Sequence, residues 1–101
     1  MKTEYKLQKV IIDEILFIEG MKEYLIIKTN EERFITLSKF ENIQEYLPIA
    51  RFIRVHKSYI ICIEKINAIE RSQIIIGDKR IPIGRTYKEL FEKSIEHRKL
   101  K

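Results

Sequence analysis

Short runs of branched and aromatic residues, each bounded by polar or turn-forming residues, recur along the 101-residue chain. Such residues favour β-strands. Residues 15–18 (Ile-Leu-Phe-Ile) are apolar on both faces, which predicts a central, buried strand. Residues 24–29 predict its return strand after a hairpin loop at 20–23. The same pattern predicts further strands at 5–10, 33–37, 52–55, 60–63, 66–71, 73–76 and 79–83.

Two short helices are predicted among these strands. Ser38 with Glu41, and Thr86 with Glu89, match the capping box that starts a helix. The fold class is therefore mostly β, with about eight to ten short strands in small antiparallel sheets, one internal helix and one C-terminal helix. The predicted apolar positions are Phe40, Ile43 and Leu47, before a stop at Pro48, and Tyr87, Leu90, Phe91 and Ile95 in the last helix.

Turn residues define the second half of the chain further. Gly77-Asp78 is a two-residue hairpin signal, because glycine adopts the positive φ that such turns need. Pro82 lacks an N–H group for a strand ladder, so its strand is predicted to lie at an edge of a sheet. No linker, repeat or low-complexity tract divides the chain, which predicts a single domain over residues 1–101.

Charge is distributed unevenly over the chain. Residues 1–50 hold 7 of the 20 Lys and Arg and 9 of the 15 acids, a net charge of −2, whereas residues 51–101 have a net charge of +7. A basic half favours an anionic partner, with nucleic acid first. The lone cysteine, Cys62, lies in an apolar run and reads as a small core residue in a reducing compartment. The sequence has no apolar run long enough for a membrane span and no secretory signal, so a cytoplasmic protein without a membrane partner is predicted.

Enzyme activity is not predicted. The sequence has no CxxC, HExxH, glycine-rich phosphate loop or nucleophile elbow, and no cofactor or metal site is expected. The acid pairs Asp13-Glu14 and Glu31-Glu32 fall in turns, where solvated carboxylates are the usual finding.

The richest polar stretch lies between the strands at 52–55 and 60–63. It brings Arg54, His56, Lys57 and Ser58 together within five residues, which is typical of a surface loop that meets a negative partner. His56 has two interpretations: a half-buried residue that ties the loop to nearby backbone, or a direct contact to an anionic ligand.

A second basic site precedes the last helix. Gly84 allows close approach of the backbone to another surface, and Arg85 and Thr86 follow at a helix N-terminus, where anions are favoured. Neither predicted helix has a basic face, which excludes a helix-turn-helix reader. Any DNA recognition must therefore use loops.

Three motifs together resemble the LytTR DNA-binding domain: residues 15–20 (ILFIEG) with Tyr24, residues 52–59 (FIRVHKSY) and residues 81–87 (IPIGRTY). The resemblance covers nearly the whole chain. It implies an elongated stack of antiparallel sheets that reads duplex DNA with loops in successive major grooves, as the transcription-regulating output domain of a two-component response regulator. It also implies paired direct repeats in promoters as targets and a homodimer delivered largely by a receiver domain.

The same resemblance assigns DNA contacts by position. The first contact falls on Lys22 or Glu23, and Glu23 could accept a hydrogen bond from cytosine N4. The central contact falls on Lys57, with Ser58 on a phosphate, and the late contact falls on Arg85, with Thr86 beside it. Two further DNA-binding candidates come from the residues themselves: Arg54, a cation just upstream of the central loop, and Lys88, whose loss is expected to weaken binding to all sequences about equally. The sequence departs from the family pattern at Glu23, Cys62 and Gly84, where Asn, Asn and Ser are common.

Two alternatives remain at this point. The 101 residues leave no room for a receiver domain, so the chain is expected to be a fragment of a regulator, with a stand-alone regulator as the other possibility. The competing function is a β-rich protein-interaction module that would use an apolar edge at residues 74–76 in place of the basic loops.

Overall fold

Two antiparallel sheets build the computed structural model, which describes residues 12–96. The strands are β1 (Ile15–Gly20), β2 (Leu25–Thr29), β3 (Arg33–Thr36), β4 (Phe52–His56), β5 (Tyr59–Cys62), β6 (Ala68–Glu70), β7 (Gln73–Ile76) and β8 (Lys79–Pro82). The larger sheet has the strand order β3-β2-β1-β5-β4, and the smaller has the order β6-β7-β8. The described part spans 39 × 28 × 25 Å. The mostly β fold class is confirmed, whereas the strand predicted at residues 5–10 lies outside the described residues.

The position of β1 confirms the prediction from residues 15–18. β1 is the middle strand of the larger sheet, and Ile18 is fully buried. Successive side chains of a strand point to opposite faces, so Phe17 and Ile18 enter two different apolar clusters. The same holds for Ile60 and Ile61 of β5. The larger sheet is therefore covered by hydrophobic packing on both faces.

Each face of the larger sheet has its own cover. Helix α1 (Phe40–Gln44) contributes Phe40 to the first cluster. The smaller sheet and helix α2 (Lys88–Glu96) supply the second cluster, where Ile74, Ile81 and Phe91 pack with Val55. This second cluster attaches the smaller sheet and α2 to the larger sheet.

The helix starts differ from the predicted capping boxes. The cap of α1 is Lys39, one residue after Ser38, and no side chain caps the helix. The second helical segment begins with a 3-10 turn at Arg85–Tyr87, preceded by Gly84. Thr86 therefore lies inside a turn and cannot cap it. Both capping-box assignments were wrong, because tertiary packing of Phe40 and of Gly84 sets where the helical backbone begins.

Two further boundaries and the burial of one residue differ from the prediction. Helix α1 ends at Gln44, well before Pro48, although Leu47 is still buried beyond it. β5 ends at Cys62, and Ile63 begins a 3-10 turn, Ile63–Lys65. Leu90 is 61% exposed, so it does not belong to the apolar stripe of α2; Phe91 is the buried residue of that helix.

The smaller sheet tests the predicted edge strand at Pro82 and the apolar edge expected at residues 74–76. β8 is an edge strand, as Pro82 predicted, and Gly77 has a φ of 62° in the predicted hairpin turn. β7 is the middle strand, and Ile74 and Ile76 are buried. The apolar edge required by the protein-interaction alternative is therefore absent at residues 74–76.

One turn of the smaller sheet was not predicted. Arg71 and Ser72 join β6 to β7 with φ values of 46° and 64°. Both lie in the left-handed region, which residues with a side chain seldom adopt. The local sequence carries no glycine there, so turn signals alone could not find this hairpin.

Candidate nucleic-acid interface

Two of the predicted contact loops lie together at one end of the larger sheet. β1 and β4 end there and β2 and β5 begin there, because these strands pair antiparallel. The first loop (residues 21–24) thus adjoins the central loop (residues 57–58). Gly20 is the last residue before the first loop, and its N–H donates to the Ser58 carbonyl oxygen at 2.8 Å. This hydrogen bond links the base of the first loop to the central loop.

The late loop (residues 83–87) reaches the same end from the smaller sheet. The Gly84 N–H donates to the Val55 carbonyl oxygen at 2.7 Å. A Cβ atom at position 84 would lie 3.5 Å from the His56 Cα and 3.0 Å from the Tyr87 ring. The close approach of the Gly84 backbone to another part of the chain is therefore observed. It packs the late loop against the end of β4.

The central loop is held by its own side chains. The Ser58 N–H donates to His56 Nδ1 at 3.0 Å, which is the structural role considered for His56. The His56 ring also packs edge-on against Tyr59 at 5.6 Å between centroids. The Tyr59 hydroxyl donates to Glu19 Oε2 at 3.2 Å. These contacts leave the neighbouring Lys57 side chain exposed to solvent.

Arg54 occupies the point between the loops. Its Nε donates to the His56 carbonyl oxygen at 3.2 Å, and its Nη2 donates to the Lys57 carbonyl oxygen at 2.6 Å. The guanidinium lies 4.5 Å from the centroid of the Phe40 ring and 5.8 Å from that of the Tyr87 ring. Both distances fall within the range of cation–π attraction.

A groove of about 630 Å³ opens between the first loop, the central loop and the start of α1. It brings together five of the predicted residues at one site. Its polar and charged lining consists of Lys22, Glu23, Ser38, Lys39, Glu41, Asn42, Arg54, Lys57 and Ser58.

The predicted contacts differ in exposure and position. Arg54 and Ser58 are half-buried, and the other predicted residues are exposed. Arg85, Thr86 and Lys88 lie outside the groove, on the late loop and the first residue of α2. Within residues 12–96, no ion pair engages Lys22, Lys57, Arg85 or Lys88. These cations are therefore free to meet an external anion.

Four polar groove residues were not among the predicted site residues: Ser38, Lys39, Glu41 and Asn42. Packing of Phe40 against the larger sheet brings the start of α1, and these residues with it, to the groove. A Cβ atom at Gly20 would lie 2.8 Å from the Phe40 ring, so only glycine there permits this packing. No local signal marks Lys39, because its position depends on a contact between distant parts of the chain.

The two ends of the larger sheet differ in charge. At the end opposite the loops, Arg51 Nη1 lies 3.1 Å from Asp13 Oδ1, and this carboxylate raises the pKa of the Arg51 guanidinium. Arg51 is thus neutralised locally, unlike the cations of the loop end. The acids at the opposite end are Asp13, Glu14, Glu31, Glu32 and Glu64, with Arg33, Arg51 and Lys65 as the bases.

The described part of the chain contains neither a membrane-spanning helix nor a metal centre. No helix within residues 12–96 is long and apolar enough to cross a membrane. Over the same residues, no three His, Cys, Asp or Glu side chains converge as a metal site would require.

Comparison with known protein families identifies the domain to which the chain belongs. The sequence model of one protein family, the LytTr DNA-binding domain, matches residues 5–96 of the chain. The chain belongs to the LytTR DNA-binding domain family. It is thus a DNA-binding domain, and the unpaired cations lie on the loops that the family resemblance assigned to DNA.

A solved structure and a curated protein are similar to this LytTR domain. A LytTr DNA-binding domain structure from Bacillus cereus superposes with a TM-score of 0.75 at 21% identity, covering 83% of each chain, which shows the shared fold. The sensory transduction protein LytT of Bacillus anthracis is 29% identical over 97 residues. That match covers 89% of this chain and 39% of LytT, so the chain spans about two fifths of the length of this relative.

Proposed function

We propose that this LytTR domain binds specific duplex DNA sequences in promoters through its three loops and regulates transcription. The observation that carries the proposal is the convergence of exposed, unpaired cations from three separate loops at one end of the larger sheet. Arg85 reads a base edge from the late loop, since a planar guanidinium can pair with guanine O6 and N7. Lys57 reads from the central loop.

The remaining predicted residues have supporting roles in the proposal. Ser58, Thr86 and Lys88 bind phosphates and set the register of the domain on the duplex. Lys22 and Glu23 approach from the first loop, where Glu23 accepts from cytosine N4.

The proposal extends to the wider protein. The chain acts as the output domain of a cytoplasmic two-component response regulator whose receiver domain is covalently attached in the full-length protein. Receiver-driven dimerisation places two copies on paired direct repeats. The name of the LytT relative, a sensory transduction protein, supports this context.

Selection from a random duplex DNA pool tests the proposal. The purified domain is incubated with the pool at near-physiological salt, and the retained DNA is sequenced. We expect enrichment of a short motif, including pairs about one helical turn apart. Retention without a motif would contradict sequence-specific reading, and no retention would contradict DNA binding by this domain.

Lys88→Ala tests the phosphate role separately. We expect weaker binding by about the same factor for all sequences, because a phosphate contact carries no base information. The slope of log affinity against log salt should fall by about 0.9, the contribution of one neutralised phosphate on duplex DNA. Binding measured at several salt concentrations on a selected and a scrambled duplex checks both values. A loss confined to the selected duplex would assign Lys88 to base reading instead.

A further inference from the structure

The guanidinium of Arg54 is turned mainly toward protein groups, although the sequence analysis placed Arg54 among the DNA contacts. Two of its nitrogens donate to backbone carbonyl oxygens within the central loop region, at 3.2 Å for His56 and 2.6 Å for Lys57. These carbonyls belong to consecutive residues at the tip of the β4–β5 hairpin. A planar guanidinium can hold both at once, whereas a lysine ammonium has a single nitrogen and no fork geometry.

The two aromatic contacts extend Arg54 beyond the central loop. The Phe40 ring, 4.5 Å from the guanidinium, packs over Gly20, the last residue before the first loop. The Tyr87 ring, 5.8 Å away, belongs to the late loop and lies beside Gly84. Arg54 therefore contacts the central loop by hydrogen bonds and the late loop through Tyr87. Through Phe40 it is linked to Gly20, the residue at which the first loop begins.

We propose that Arg54 is a positioning residue that holds the three loops in one DNA-binding arrangement by the shape of its guanidinium. The inference rests on the proposed function of those loops. Its guanidinium is engaged by two carbonyl oxygens and two aromatic rings. Its role in DNA binding is therefore to hold the loops in place, and a positive charge without the guanidinium shape does not replace it. The loops are consequently coupled: loosening Arg54 displaces Lys57 on one side and Arg85 on the other.

Arg54→Lys is the decisive variant, because it retains the positive charge and removes the planar guanidinium that donates to two carbonyl oxygens at once. We expect affinity for a selected duplex to fall about tenfold or more, as when a charge-assisted hydrogen bond is lost. Arg51→Lys is the matched control, since Arg51 precedes the same strand at the opposite end of the sheet. The control should change affinity by less than about twofold.

Hydrogen exchange on the free protein separates positioning from direct contact. The Ser58 and Gly20 amides, bonded to His56 Nδ1 and to the Ser58 carbonyl, report the order of the central and first loops. In Arg54→Lys we expect both amides to exchange about tenfold faster or more, while amides in the middle of β1 keep their protection. Unchanged exchange together with weaker DNA binding would make Arg54 a direct contact and overturn the positioning role.

Phe40→Leu provides a second route to the same conclusion. It keeps a large apolar side chain at this position and leaves Arg54 intact, but removes the aromatic face. The positioning role predicts faster exchange of the Gly20 amide and weaker DNA binding; unchanged values for both would overturn the coupling through the ring. If the wild-type domain binds no DNA, the proposed function fails, while the exchange measurements still decide whether Arg54 orders the loops.

Discussion

Replacing Phe91 by alanine is expected to lower the free energy of unfolding by about 3–5 kcal/mol, the range for aromatic truncation in a core. Phe91 is 2% exposed and packs in the cluster that contains Val55 of the larger sheet and Ile81 of the smaller. Its removal leaves a cavity where α2 and both sheets meet. Urea denaturation followed by circular dichroism measures the change.

The adjacent residue provides a matched control for Phe91. Leu90 has similar hydrophobicity and lies in the same turn of α2, but it is 61% exposed. Leu90→Ala should change the free energy of unfolding by less than about 0.5 kcal/mol, as expected for a surface position. Comparable losses from both substitutions would show that the apolar stripe predicted from the sequence, with Leu90 inside it, was correct after all.

Arg85→Ala is expected to weaken binding to the selected DNA by about 1–3 kcal/mol and to relax selectivity at one base pair. Arg85 is exposed on the late loop, and within residues 12–96 it has no ion-pair partner. Removing a bidentate contact affects only the base it reads, so binding to scrambled DNA should fall much less. Affinity measured on a panel of single-base variants of the selected site locates the relaxed position.

Lys93→Ala is the control for charge in the Arg85 experiment. Lys93 also carries one positive charge, but it lies on α2 with its ammonium 4.0 Å from Glu89. We expect its removal to change affinity by less than about twofold. Normal binding of Arg85→Ala to the selected site would contradict the assignment of the late loop as a base reader.

Much of the candidate site could be predicted because its residues lie close together in the sequence. Arg54, Lys57 and Ser58 fall within five residues, and Arg85, Thr86 and Lys88 within four. Such spacing, read beside the family motifs, was enough to place the central and late loops. It could not assign Arg54 to the loop carbonyls and rings, because those contacts depend on the path of β4 and on Phe40 and Tyr87.

The sequence by itself determined most strands of this LytTR domain and the hairpin at Gly77, but not where its helices begin. Alternation and apolar runs defined most strands, and Gly77 and Pro82 defined a hairpin and an edge, because φ preferences and missing N–H groups act within a few residues. The tertiary structure alone decided how distant segments meet: Gly20 with Ser58, and Gly84 with Val55. It also chose Phe91 over Leu90 as the buried residue of α2. These outcomes depend on how both faces of the larger sheet are packed, which no local pattern encodes.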